Sequence, residues 1–132
     1  MRKKPSKINI FDTMSFKMSD KGARDTFKSG AQREPKNGSG RFDLLSPFAL
    51  LRLARVAEKG ATKYTPRNWE AGMPFSECLN RVLIHINDYR MGKRDEDHLA
   101  HAMWGLHAIL HYEAMHPEMN DIPKYLTEDG KP

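Results

Sequence analysis

This 132-residue chain predicts an all-α fold: a small helical bundle built on an antiparallel helix hairpin and completed by oligomerisation. Three observations carry that expectation. Apolar residues recur at helical spacing in three segments after residue 45; Gly and Pro punctuate the ends of those segments; and only the short polar turn Gly92-Lys93-Arg94 separates the last two. Helices joined by so short a loop pack antiparallel. Three helices with broad apolar faces are a thin basis for an independent core, so a homodimer or homotetramer is expected to complete it.

The first helix should begin at Ser46, whose hydroxyl can accept from the free amides of the first turn. Pro47 then takes the first helical position, where a missing N–H costs nothing. Leu50, Leu53, Ala54 and Ala57 form its apolar stripe, and Gly60 is expected to end it in the left-handed conformation. The second helix should run from near Ser76 to Gly92. Leu79, Val82, Leu83 and Ile86 make its apolar face, while Glu77, Arg81, His85 and Asp88 share another. The third should open with Asp95 as N-cap and stop before Pro117. Leu99, Ala102, Met103, Leu106, Ile109 and Leu110 share one side of it, with Asp97, His98 and His101 at the edge.

The rest of the chain divides by composition. Residues 1–26 are polar, rich in Lys, Ser and Asp, and read as a basic, largely disordered arm. Gly30, Pro35, Gly38 and Gly40 predict an irregular loop over 27–41. The compact domain is expected over 27–116, and 117–132 reads as a C-terminal tail or a partner-docking arm. The net charge of +5 is unevenly placed. Residues 1–40 hold ten Lys or Arg against four Asp or Glu, whereas 41–132 hold twelve against thirteen. A basic arm can touch polyphosphate or nucleic acid, but the helical body is neutral, which disfavours a nucleic-acid partner. The alternative kept open is a non-catalytic nucleotide or nucleic-acid binder using that arm. A single cysteine, Cys78, rules out an internal disulfide framework. No apolar run approaches the ~20 residues of a membrane span, and no apolar stretch follows the basic start, so a cytoplasmic protein is expected.

Chemistry concentrates at the hairpin turn. Residues equidistant from it face each other, which sets Asp88 opposite Asp97 and His85 opposite His101. Carboxylates and imidazoles converging between helices suit a divalent cation, Mg²⁺ or Mn²⁺, and the candidate ligands are Asp88, Asp97, His85 and His101. Such an ion suits phosphate chemistry, with His85 as a base if it does not ligate. Asp95 and Glu96 read equally well as first-turn complements to the helix dipole. The loop Lys63-Tyr64-Thr65-Pro66-Arg67-Asn68-Trp69 offers what a nucleotide requires. Lys63 and Arg67 can hold phosphate oxygens, Tyr64 or Trp69 can stack on a base, and Asn68 can read its edge. Trp69 serves equally as an anchor of the loop on the core. No Walker A loop, no G-x-G-x-x-G and no Ser or Cys triad is present.

Several motifs occur in order. They are Phe27-Lys28-Ser29-Gly30-Ala31-Gln32-Arg33, then Gly40-Arg41-Phe42-Asp43-Leu44-Leu45-Ser46-Pro47, then Lys59-Gly60-Ala61-Thr62-Lys63-Tyr64, then Arg67-Asn68-Trp69-Glu70 with Gly72. The last is Arg94-Asp95-Glu96-Asp97-His98-Leu99-Ala100-His101-Ala102-Met103-Trp104. Residues 27–113 resemble the phage dATP/dGTP diphosphohydrolase domain, a MazG-like all-α nucleotide pyrophosphohydrolase. The resemblance implies metal-dependent cleavage of purine deoxynucleoside triphosphates to monophosphate and pyrophosphate in the phage nucleotide pool, within the host cytoplasm. It also implies a helical oligomer. Read from the residues themselves, His85 and Asp97 are the candidate catalytic groups, and Lys63, Arg67 and Arg81, helped by Arg33 and Arg41, are the candidate phosphate contacts. The chain departs from the E-x-x-E and E-x-x-D patterns of the wider MazG-like group: the positions here hold Glu77, Arg81, His85 and Asp88, then Asp97 and His101.

Overall fold

The computed structural model describes residues 22–35 and 38–132, so the basic arm expected over 1–26 lies almost entirely outside the described residues. The described chain divides into two units, with the boundary between Ser46 and Pro47. In the first, Phe27–Ala31 turns back so that β1 (Asp25–Thr26) pairs antiparallel with β2 (Gln32–Arg33). The Phe27 amide donates to the Ala31 carbonyl (2.9 Å), and Gly30 supplies the positive φ of 87° that this turn needs. The expected irregular loop over 27–41 thus holds the turn and second strand of a minimal hairpin, and a 3₁₀ turn follows at Phe42–Leu44. Two-residue strands carry no face pattern, which is why periodicity misses them.

The second unit is all-helical: α1 (Pro47–Lys63), α2 (Phe75–Arg90) and α3 (His98–Met115), with 3₁₀ turns at Asn68–Ala71 and Pro117–Met119. The α1 helix starts at Pro47 as expected but does not stop at Gly60. Gly60 costs a helix interior about 1 kcal/mol against Ala, too little to break it while Ala61 and Lys63 continue as good helix formers. The end comes at Lys63, where Pro66 and the left-handed Arg67 (φ 64°) lie ahead.

The hairpin is antiparallel, and its register is legible in three facing sets. Phe75 meets Tyr112 (ring centroids 6.2 Å), Val82 meets Gly105, and His85 meets His101 (centroids 5.0 Å). A Cβ at Gly105 would collide with Val82 Cγ2, so the two helices approach where a side chain is missing. The buried seam is therefore made of small residues on α3, namely Ala102, Gly105 and Ala108, capped by the fully buried Tyr112. This corrects the face read from α3 leucines. Leu99, Leu106 and Leu110 are exposed, Leu110 by 68%. On α2, Phe75, Cys78 and Val82 are buried, whereas Leu83 and Ile86 are exposed.

Residues beyond Pro117 join the core: Met119 and Ile122 pack against Phe75, Cys78, Ala108 and Tyr112. Asp121 reaches the start of α2, where its carboxylate accepts from the Ser76 amide (2.8 Å) and hydroxyl (2.5 Å). A carboxylate there complements the free amides and positive end of the helix, and the Ser76 bonds hold its pKa below the usual range. The Ser76 amide in the first turn of α2 is thus satisfied from 45 residues away, while the Glu77 and Cys78 amides donate to the Pro74 carbonyl. Among the described residues no helix is long and apolar enough to cross a membrane.

Candidate functional site

The hairpin turn is built by a defined stop. Gly92 (φ 94°) donates to the Tyr89 carbonyl (3.0 Å) and Lys93 to the Asp88 carbonyl (3.0 Å), the paired bonds of a left-handed helix C-cap. Arg94 folds back, its guanidinium 3.9 Å from the Tyr89 ring centre and bonded to the Tyr89 and Lys93 carbonyls. The acidic run Asp95-Glu96-Asp97 is thereby laid across the entrance to α3.

Asp97, not Asp95, is the N-cap, its Oδ1 accepting from the Ala100 amide (3.2 Å). Both of its oxygens are also gripped by Arg52 of α1, Nε to Oδ2 at 2.8 Å and Nη2 to Oδ1 at 2.5 Å. That guanidinium drives the Asp97 pKa down to about 2. Asp95 is taken instead by His98. A carboxylate can only accept, so His98 Nε2 carries the hydrogen and donates to Asp95 Oδ1 (2.9 Å). Asp88 lies beside Lys93 Nζ at 3.3 Å.

Three imidazoles and Glu96 then converge. His85 and His98 stand Nδ1 to Nδ1 at 3.0 Å; Glu96 Oε1 is 3.8 Å from His85 Nδ1 and 3.6 Å from His98 Nδ1; and Glu96 Oε2 is 3.7 Å from His101 Nδ1. His101 Nδ1 donates to the Asp97 carbonyl (2.8 Å), which fixes its ring and leaves Nε2 as its lone pair. Burial pushes the His85 pKa down, with Glu96 opposing it, so the ring is held neutral. Two groups among the described residues have the spacing to hold an ion: His85 with Glu96 and His101, and Asp95 with Glu96 and His98. Of the four expected ligands, the structure brings His85 and His101 together. Asp88 and Asp97 belong to neither group, although each acts electrostatically on a histidine of the cluster, Asp88 on His85 and Asp97 with His101.

Glu96 and His98 were reachable from the sequence. His98 and His101 are i, i+3 on the first turn of α3 and must share a face. His98 borders the apolar stripe of α3 and is 2% exposed, so in sequence it reads as part of the packed face. Arg52 has no such signal, because its partner is fixed by tertiary packing alone.

The loop between α1 and α2 is held by the far end of α3. Trp69 packs edge-on to Trp104 (5.3 Å) and His111 (4.7 Å) and tilted on His107 (5.0 Å). Tyr112 donates to the Trp69 carbonyl and His116 Nε2 to the Glu70 carbonyl (2.7 Å). Gly72 (φ 96°) lies against Met119 and His116 so closely that a Cβ would strike Met119 Sδ at 2.6 Å. Of the two roles open to Trp69, the anchor is the one the geometry fills. Lys63, Tyr64, Arg67 and Asn68 are exposed on the segment so anchored; Lys63 Nζ sits 5.3 Å from the Tyr64 ring, and Arg67 bonds Glu70 (2.5 Å). Arg81 is exposed on α2. Arg33 and Arg41 belong to the first unit, Arg33 in β2 and Arg41 paired with Asp43 by two bonds of 2.8 Å.

Comparison with known families gives a match over residues 29–122 to the family described as dATP/dGTP diphosphohydrolase, N-terminal. No curated protein and no solved structure matches the chain significantly.

Proposed function

We propose, for a chain that belongs to the dATP/dGTP diphosphohydrolase, N-terminal family, the metal-dependent hydrolysis of dATP or dGTP to the monophosphate and pyrophosphate. The observation that carries this reading is the convergence of His85, His101 and Glu96 at the hairpin turn. The donor set fits a divalent ion: two imidazoles and a carboxylate, with the His101 ring oriented by a backbone carbonyl. Such an ion, when bound, neutralises phosphate oxygens and lowers the pKa of a water at phosphorus.

The chain's own residues supply the rest. Lys63 and Arg67, with Arg81 from α2, present cations to the triphosphate. Tyr64 offers an exposed ring to the base and Asn68 a donor and acceptor to its edge. Trp69 acts on substrate through the loop it anchors. Asp97 holds the start of α3 and, through its carbonyl, the His101 ring. Asp88 and Asp97 are each paired with a cation, Lys93 and Arg52, so the carboxylate available to an ion in this group is that of Glu96. Because His85 serves as a ligand in this reading, it is not the proton acceptor. In keeping with the substrate pool, a phage enzyme acting in the host cytoplasm is proposed.

A homo-oligomer, dimer or tetramer, belongs to the same reading. Leu83, Ile84, Leu106 and Leu110 are exposed on the helix pair, together with Phe48 and Leu51 of α1. Apolar side chains on this scale call for a second copy of the same helices.

Product analysis tests the activity. Incubation with dGTP or dATP and Mg²⁺ or Mn²⁺ should release pyrophosphate and the nucleoside monophosphate in equal amounts. Release of orthophosphate or of triphosphate, or no turnover with any dNTP, overturns it.

A further inference from the structure

His98 plays no part in the proposed reaction, yet it is the most buried of the three histidines at the turn. Its ring is 2% exposed, it enters from the first turn of α3, and its Nε2–H is committed to Asp95. The remaining lone pair on Nδ1 must therefore point inward, toward His85 Nδ1 at 3.0 Å and Glu96 Oε1 at 3.6 Å. A carboxylate behind a histidine, fixing its tautomer and raising its basicity, is the outer-shell arrangement that metal-binding histidines use. The separation fits as well: adjacent ligands on an octahedral ion with bonds of about 2.1 Å lie about 3.0 Å apart.

We infer that His98 is a metal ligand held in its binding tautomer by Asp95, so that His85, His98, His101 and Glu96 form a nitrogen-rich site for a transition-metal ion in preference to Mg²⁺. The inference deepens the proposed function and rests on it only for the presence of a divalent ion. Its chemical basis is ligand type. Mg²⁺ takes oxygen ligands and keeps several waters, whereas Mn²⁺, Fe²⁺, Co²⁺ and Zn²⁺ accept imidazole. Three imidazoles around one carboxylate leave Mg²⁺ with too few oxygens. Without an ion, the same two Nδ1 atoms share one hydrogen, His85 donating to His98. Metal binding would move that hydrogen to His85 Nε2 and free both lone pairs.

Full-length protein, stripped of metal and freed of chelator, is titrated with Co²⁺ and read by visible absorption, and with Mn²⁺ read by electron paramagnetic resonance. One ion per chain should bind, the Co²⁺ spectrum should be that of a nitrogen-ligated ion, and a large excess of Mg²⁺ should not displace it. Asp95→Asn, at an exposed carboxylate, keeps the shape and should weaken binding about 10–100-fold. His98→Ala should weaken it at least as much; if that variant does not fold, as judged by circular dichroism, His98→Asn and Asp95→Asn decide the matter. The inference is overturned by an oxygen-ligated Co²⁺ spectrum, by ready displacement with Mg²⁺, or by unchanged affinity in folded Asp95 and His98 variants. Because binding is read without substrate, failure to hydrolyse dGTP would sink the activity and leave the site standing. Full turnover with Mg²⁺ and no Co²⁺ site would do the reverse.

Discussion

Removing one oxygen atom should loosen the proposed nucleotide loop without disturbing the core. Tyr112→Phe keeps the ring, which is fully buried against Phe75 and Trp69, and deletes only the hydroxyl that donates to the Trp69 carbonyl. Burial has raised the Tyr112 pKa to about 12, so the group is a neutral donor throughout the working pH range. The size of the effect follows from what remains. The Trp69 carbonyl still accepts from the Gly72 amide (3.1 Å), so it loses one of two partners and is not orphaned. The full desolvation cost of about 1–3 kcal/mol for an unsatisfied group therefore does not apply, and the loss should be the ordinary 0.5–1.5 kcal/mol of one hydrogen bond, about 1 kcal/mol. For a chain this size that lowers Tm by about 3–6 °C. The second tie, His116 to the Glu70 carbonyl, keeps the loop docked, so hydrogen exchange at Glu70 and Gly72 should rise only modestly. KM for dGTP should rise more than kcat falls. Differential scanning calorimetry and amide exchange measure both halves. An unaltered Tm with unaltered exchange would mean the hydroxyl holds nothing, while a loss above about 3 kcal/mol would mean the loop and core unfold as one.

Three further outcomes follow from other contacts. Asp97 has a folded-state pKa of about 2, below its unfolded value of 3.8, so its stabilisation is present above pH 4 and is lost as pH falls toward 2; Asp97→Asn should flatten that part of an acid-unfolding curve, and an identical slope in both proteins refutes the pairing with Arg52. Gly105→Ala should destabilise by about 1–3 kcal/mol through collision with Val82, and adding Val82→Ala should recover part of that loss; additive losses in chemical denaturation would place the helices further apart than described. Leu110→Glu, at the most exposed leucine of α3, should shift light-scattering mass toward the monomer with helicity retained, and an unchanged mass would clear this face of any role in assembly.

Much of the fold was legible because it is local. Pro47 at the start of α1, the glycine stop at the hairpin turn and Pro117 after α3 are each read from single residues whose backbone preferences are steep. The facing of His85 and His101 followed from the shortness of the turn. The burial pattern was not legible. Leucine at helical spacing says which residues lie on one side of α3, but not that a seam of Ala102, Gly105 and Ala108 lets α2 come closer on another. The site fell between these cases. Asp95, Glu96 and Asp97 are chemically alike in sequence, and their division into a clasp for His98, a member of the histidine cluster and a helix cap is decided by where Arg52 and His98 arrive.

The polar ties across the helical unit share an unusual reach. Arg52 to Asp97, Trp69 to Tyr112, Glu70 to His116 and Ser76 to Asp121 each span 43–46 positions. Helical proteins are ordinarily quick to fold because their partners are neighbours along the chain. In this one the α2–α3 hairpin can zip early, but four closures must wait until distant segments meet. Refolding in a stopped-flow mixer should accordingly lag behind that of a bundle held by adjacent-helix packing alone.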